Sequence, residues 1–148
     1  MVRNAFLVIV CLALASFIRW QPDFEMAQQQ ALQKHQLILL NFSGSDWCGP
    51  CMRMRKEIFE NDAFTAFSDS SLQLVNADFP RSKKNQLDKE TIKANESLAD
   101  RYNKDGAFPY TVLLDANGTV LKSWSGLPKE SVAAFIQEIK MVYEHHKP

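Results

Sequence analysis

A chain of 148 residues with 17 Lys plus Arg, 17 Asp plus Glu, 46% apolar content, 5 Gly and 6 Pro has room for one domain at roughly 100–200 residues per domain. Its zero formal net charge supplies no global field for nucleic acid or another polyanion, and its composition excludes collagenous repeats and low-complexity disorder. The three cysteines, Cys11, Cys48 and Cys51, are too few and too clustered to staple a mini-domain.

Residues 1–20 have the form of a signal peptide or membrane anchor, with Arg3 followed by an apolar run from Ala5 to Ile18 and then Arg19 and Trp20. The run is shorter than the ~20 residues that cross a bilayer comfortably. It suits either a signal core, cleaved after Ala15, or a short retained tether, and Cys11 within it reads as an apolar filler. The expectation is a periplasmic or otherwise exported protein, either released or held at the inner membrane through residues 5–18. Residues 23–148 are then the folded domain.

Phe24, Ala27, Gln28, Ala31 and His35 recur at helical spacing. Leu37 to Phe42 is a short run without alternation, which suits a strand covered on both faces. After Ser43-Gly44-Ser45-Asp46 come Trp47-Cys48-Gly49-Pro50-Cys51 and a helix to about Phe59, with Cys51, Met54 and Ile58 as its apolar stripe and Arg53, Arg55 and Lys56 solvated. Asn61-Asp62 caps a short helix carrying Phe64 and Phe67, and Ser71 to Ala77 is a second strand. Phe79 to Gln86 is an exposed basic loop, and a helix follows from about Leu87 to Tyr102 with Ile92, Leu98, Ala99 and Tyr102 inward. Phe108-Pro109 precedes a hairpin whose strands, Tyr110–Leu114 and Thr119–Trp124, are joined by Asp115-Ala116-Asn117-Gly118. The last helix opens at Pro128 and buries Val132, Phe135, Ile136, Ile139 and Tyr143. Strands alternating with helices, closed by a hairpin, predict an α/β domain with a mixed sheet covered on both faces.

Cys48 immediately precedes a helix, where free N–H groups and the positive end of the dipole favour a thiolate and lower the thiol pKa. Cys51, one turn later, is expected to be more buried and less acidic. The spacing lets the two sulfurs meet, and Pro50 fixes φ at a position whose N–H would be unpaired in any case. The chemistry that follows is thiol–disulfide exchange, with Cys48 attacking a substrate disulfide and Cys51 resolving the mixed disulfide. Two other readings of the pair stay open. One is half of a zinc site, for which only His35, His145 and His146 are further ligands; the other is a static disulfide, although so tight a loop stabilises little.

Trp47-Cys48-Gly49-Pro50-Cys51, followed by Phe108-Pro109-Tyr110-Thr111, resembles the two hallmark motifs of the thioredoxins, and the element order matches from about Phe24 to Tyr143. The surrounding Asn41-Phe42-Ser43-Gly44-Ser45-Asp46, Lys56-Glu57-Ile58-Phe59 and Asp78-Phe79-Pro80 look more like exported bacterial thioredoxin-like proteins than cytosolic thioredoxin. The resemblance implies a thioredoxin fold with a longer loop and helix inserted before a cis Pro109. It further implies that Trp47, Gly49, Pro50, Phe108 and Pro109 shape the site, that Phe108 tunes substrate choice, and that no cofactor or metal is needed. Thioredoxins also carry a buried aspartate before the motif. Here Asn41 or Phe42 stands in that place, with Asp46 and Glu57 as candidate substitutes.

By this resemblance the Gly-Pro dipeptide favours a reductase of protein disulfides, fed by a membrane-linked thiol donor because the exported compartment is oxidising. A disulfide isomerase or oxidant is the nearest alternative. A thioredoxin-fold binding module using the basic segment from Arg81 to Lys93 is another, from a different class. The His145-His146-Lys147 end complements the last helix's dipole.

Overall fold

A computed structural model describes Trp20, Gln21 and residues 23–146; the expected leader up to Arg19, Cys11 within it and Lys147 lie outside the described residues. Among those described, no helix is long and apolar enough to cross a membrane. The strands are β1 (Trp20–Gln21), β2 (Leu37–Ser43), β3 (Leu72–Asp78), β4 (Tyr110–Leu114) and β5 (Val120–Ser125). The helices are α1 (Phe24–Lys34), α2 (Gly49–Met54, continued by a π turn over Arg55–Phe59), α3 (Asp62–Ser71), α4 (Lys89–Tyr102) and α5 (Val132–His145). One mixed sheet runs β1-β3-β2-β4-β5. β1 and β2 flank β3 in parallel, whereas β4 and β5 are antiparallel additions on the far side of β2.

Successive side chains of a strand point to opposite faces, and β2 divides the core accordingly. Leu37 and Leu39 join Met54, Ile58, Phe59, Phe64, Phe135, Ile136 and Ile139 on the side of α2, α3 and α5. Ile38, Leu40 and Phe42 join Ala27, Ala31 and Tyr102 on the side of α1 and α4. Asn41 belongs by the same alternation to the Leu39 face. It is therefore a polar residue aimed at the helix that carries the cysteines.

Several boundaries differ from those the sequence suggests, each for a local reason. α5 starts at Val132, not Pro128, because the Ser131 hydroxyl accepts the Ala134 N–H at 3.2 Å as N-cap. α4 starts after Asp88, which caps Thr91 N at 2.9 Å. His35 lies past the end of α1, in a left-handed conformation (φ 54°) as its C-cap. Ser71 ends α3, so β3 begins at Leu72. Thr119 stays in the hairpin turn, where Asp115 Oδ1 takes the N–H groups of Asn117 and Thr119 and Gly118 adopts φ 84°. Trp20, read as the end of the leader, pairs with Leu74 in β1 and packs edge-on against Phe59, with ring centroids 5.2 Å apart.

Candidate functional site

The chain leaves β2 at Ser43 and turns at Gly44, whose carbonyl accepts the N–H groups of Trp47 at 3.3 Å and Cys48 at 2.9 Å. Cys48 is the N-cap of α2, with extended φ and ψ of −93° and 99°, and its Sγ accepts the Cys51 N–H at 3.2 Å. Sulfur thus occupies the place of the oxygen of a Ser or Asp cap. Cys48 and Cys51 form a disulfide with Cα atoms 5.2 Å apart. Cys48 is 4% exposed and Cys51 5%, so the expectation that Cys51 is the deeper of the two does not hold. Both are buried at the start of α2, while Gly49 and Pro50 between them are exposed.

Trp47 is fixed on several sides. Its indole Nε1 donates to the Phe79 carbonyl at 2.7 Å, its ring meets Phe108 edge-on at 5.4 Å, and the Arg81 guanidinium lies 3.8 Å from its ring centroid. Below, Gly44 leaves space for the ring: a Cβ there would stand 2.2 Å from the indole. Phe79 in turn packs edge-on against Phe108 at 5.6 Å. The Phe108–Pro109 peptide bond is cis. Tyr110 pairs with Phe42 and the Pro109 carbonyl accepts Gly126 N–H at 2.8 Å, which places this segment at the sheet end from which the cysteine turn departs.

Behind the disulfide lies a polar seam that no short motif announces. Asn41 and Asn76 are register partners on β2 and β3, and Asn41 Nδ2 donates to Asn76 Oδ1 at 2.8 Å. The buried Thr111 hydroxyl donates to Asn41 Oδ1 at 3.0 Å, and Ser43 Oγ reaches Asn76 Oδ1 at 3.2 Å. Next to this seam is a cavity of about 370 Å³ bordered by Trp20, Asn41, Ser43, Cys51, Arg55 and Asn76. Neither proposed substitute for a buried carboxylate borders it. Glu57 pairs with Arg53 on the surface at 3.0 Å. Asp46 accepts the N–H groups of Arg81 and Ser82, both at 2.9 Å, and the Asn85 amide at 3.0 Å. These donors, Arg81 foremost and then Asn85, hold its carboxyl below the usual range.

As for the other candidate ligands, no group of three or more His, Cys, Asp or Glu is placed to hold a metal ion among the described residues. His146 packs its ring nitrogen on the Val142 carbonyl at 2.9 Å, at the end of α5.

A family model described as a thioredoxin-like domain matches residues 24–140. Disulfide bond reductase DsbH of Chlamydia pneumoniae is 33% identical over 126 residues, which are 85% of this chain and 73% of that protein. A solved structure described as DsbH oxidoreductase superposes with a TM-score of 0.79 at 29% identity, covering 97% of this chain and 95% of that one. A thioredoxin from Thermus thermophilus superposes at a TM-score of 0.62 with 16% identity, covering 84% and 86%, a likeness of fold.

Proposed function

The chain belongs to the thioredoxin-like family, and from that premise we propose that it is a thiol:disulfide oxidoreductase that reduces protein disulfides outside the cytoplasm. The observation that carries this reading is the Cys51 N–H donated to Cys48 Sγ at the start of α2. A hydrogen bond to sulfur and the helix terminus both stabilise negative charge on Cys48 once the pair is reduced.

The reaction balances over four sulfur atoms, two of the chain and two of the substrate, with two electrons transferred. Cys48 thiolate attacks one sulfur of a substrate disulfide, the other substrate sulfur leaves as thiolate and takes up a proton, and a mixed disulfide is left. Cys51, having given its proton to solvent, then attacks Cys48 Sγ. The second substrate thiolate departs, and Cys48–Cys51 is the product disulfide. Both electrons of the substrate's reduction come from the dithiol.

Cys48 is nucleophile and Cys51 resolving thiol in this scheme. Trp47, Phe108 and Pro109 form the floor on which an extended substrate segment lies, and Gly49-Pro50 is the exposed crest between the sulfurs. The residues before Trp20 export the domain or hold it at the inner membrane. In an oxidising compartment the dithiol is then regenerated by a membrane-linked thiol donor.

The test is insulin-disulfide reduction with dithiothreitol as donor. The wild type accelerates precipitation of the insulin B chain and Cys48→Ser does not; equal rates for the two would overturn the reading. Equilibration with glutathione checks direction, since a potential well above that of the glutathione couple would contradict a reductase.

A further inference from the structure

The basic segment beside the disulfide is fastened to the cysteine turn itself. Asp46, two residues before Cys48, binds the backbone N–H groups of Arg81 and Ser82 and the side chain of Asn85. Phe79 takes the Trp47 indole N–H, and the Arg81 guanidinium is stacked over the same indole, 3.8 Å from its centroid. Lys83 and Lys84 form the single 3₁₀ turn that this clamp encloses, and both are exposed, as is Arg81.

Among the described residues no side-chain ion pair engages Arg81, Lys83 or Lys84; the ion pairs there are Arg53–Glu57, Arg55–Glu60 and Lys122–Glu138. From Phe79 to Lys93 there are five cations and two carboxylates, Asp88 and Glu90. Asp88 is spent on capping Thr91 through both its oxygens. Two further carboxylates flank the segment: Asp46 holds the clamp, and Asp78 accepts from the Ser43 hydroxyl and from the N–H and hydroxyl of Ser45. In a chain of zero net charge this is a local excess of cations, five against two within the segment, with Arg81 presented over Trp47 beside the disulfide.

We infer that Arg81, with Lys83 and Lys84, is the docking surface for an acidic segment of a protein partner, and that Arg81 is the specificity-determining residue for the exchange reaction. The inference rests on the proposed chemistry of Cys48 and names the kind of protein disulfide it selects: one whose reactive cysteine is flanked by Asp or Glu. A guanidinium that uses its face on an aromatic ring keeps its in-plane N–H donors for a carboxylate, which it binds in two-pronged fashion. Stacking on Trp47 also reduces the conformational freedom Arg81 would lose on binding. Charge placed this way accelerates encounter and selects partners more than it tightens the complex.

The test uses the full chain, reduced, and two synthetic peptides that each close one intramolecular disulfide. They are identical except that two Glu or two Lys flank one cysteine. The expected result is kcat/KM about tenfold higher for the acidic peptide at low ionic strength, carried by KM, with the advantage fading in about 1 M salt. Arg81→Glu should remove or reverse the preference, and Arg81→Lys should retain part of it. The double variant Lys83→Ala/Lys84→Ala, which leaves the Trp47 stack in place, should reduce it. Equal rates for the two peptides with wild type, or a preference unmoved by the double variant, would overturn the docking surface while leaving the exchange chemistry standing. Failure of wild type to reduce either peptide would overturn the exchange chemistry and the docking surface with it.

Discussion

The Cys51 backbone N–H donates to the Cys48 sulfur across 3.2 Å, so the atom that caps α2 is also the atom on which a thiolate would form. Such a cap is strengthened by charge on its acceptor. In the reduced chain Cys48 should therefore react with iodoacetamide at pH 7 several-fold faster than free cysteine does, and Cys51 more slowly than Cys48. Mass spectrometry of partly alkylated chain separates the two sites. Equal labelling, or preferential labelling of Cys51, would contradict the assignment of roles.

Gly44 and Trp47 define a second tight relationship, because a methyl group on Gly44 would sit 2.2 Å from the indole. The ring is also tied to the Phe79 carbonyl, packed on Phe108 and covered by Arg81. Gly44→Ala should therefore displace Trp47 and cost about 1–3 kcal/mol of stability, the usual range for overpacking a well-filled site. Urea unfolding measures the cost. A blue-shifted or red-shifted tryptophan emission in the folded state reports the displaced ring, and an unchanged spectrum with unchanged stability would count against the packing described.

Asp46 gives a pH dependence with a definite sign. The Arg81 N–H, the Asn85 amide and the Ser82 N–H lower its pKa in the folded chain. A carboxyl with a depressed folded pKa contributes stability above its unfolded pKa and loses it as the pH falls through the folded value. The clamp on the basic loop should hold at neutral pH and release only in acid, below the ordinary carboxylate range. Proteolysis within residues 80–86 should be faster for Asp46→Asn than for wild type at pH 7, and an acid-stable protease should find the difference shrinking as the pH drops. A difference that grows in acid would have the wrong sign.

The Asn41 side chain ties β2 to both neighbours, β3 through Asn76 and β4 through Thr111. Replacement by Ala removes the donor to Asn76 and the acceptor for Thr111, leaving the fully buried Thr111 hydroxyl with the weakly accepting Met54 Sδ, 3.8 Å away. A buried hydroxyl deprived of its strong partner costs about 1–3 kcal/mol. The chemical-denaturation midpoint of Asn41→Ala should fall by that amount, whereas Glu57→Gln, whose ion pair with Arg53 is exposed on both sides, should leave it nearly unchanged.

The sheet, its two faces and the cysteine turn were legible because each depends on local pattern. The unbroken apolar run of β2, the Asp115–Gly118 turn and the Cys-x-x-Cys pair before a helix can all be read within a few residues. What escaped reading depends on partners distant in sequence. β1 is only two residues long and exists through parallel pairing of Trp20 with Leu74 and Gln21 with Val75; in the sequence it merely continues the preceding apolar run. The Asn41–Asn76 pair is created by strand register across 35 positions. Asp46 resembles any polar loop residue until the loop beginning at Pro80 is folded onto it. One miss had a local signal, since Ser131 placed before Val132-Ala133-Ala134 is a readable N-cap, stronger than Pro128 as the start of α5.

In the proposed exchange Cys48 attacks the substrate disulfide and Cys51 resolves the mixed disulfide. Cys51→Ala, mixed as the otherwise intact chain with a disulfide-containing protein substrate, tests it most directly. A covalent adduct should accumulate through Cys48, dissolve in dithiothreitol and be absent from the Cys48→Ala/Cys51→Ala chain. No adduct with Cys51→Ala, or an equally abundant one formed through Cys51 in Cys48→Ala, would contradict it.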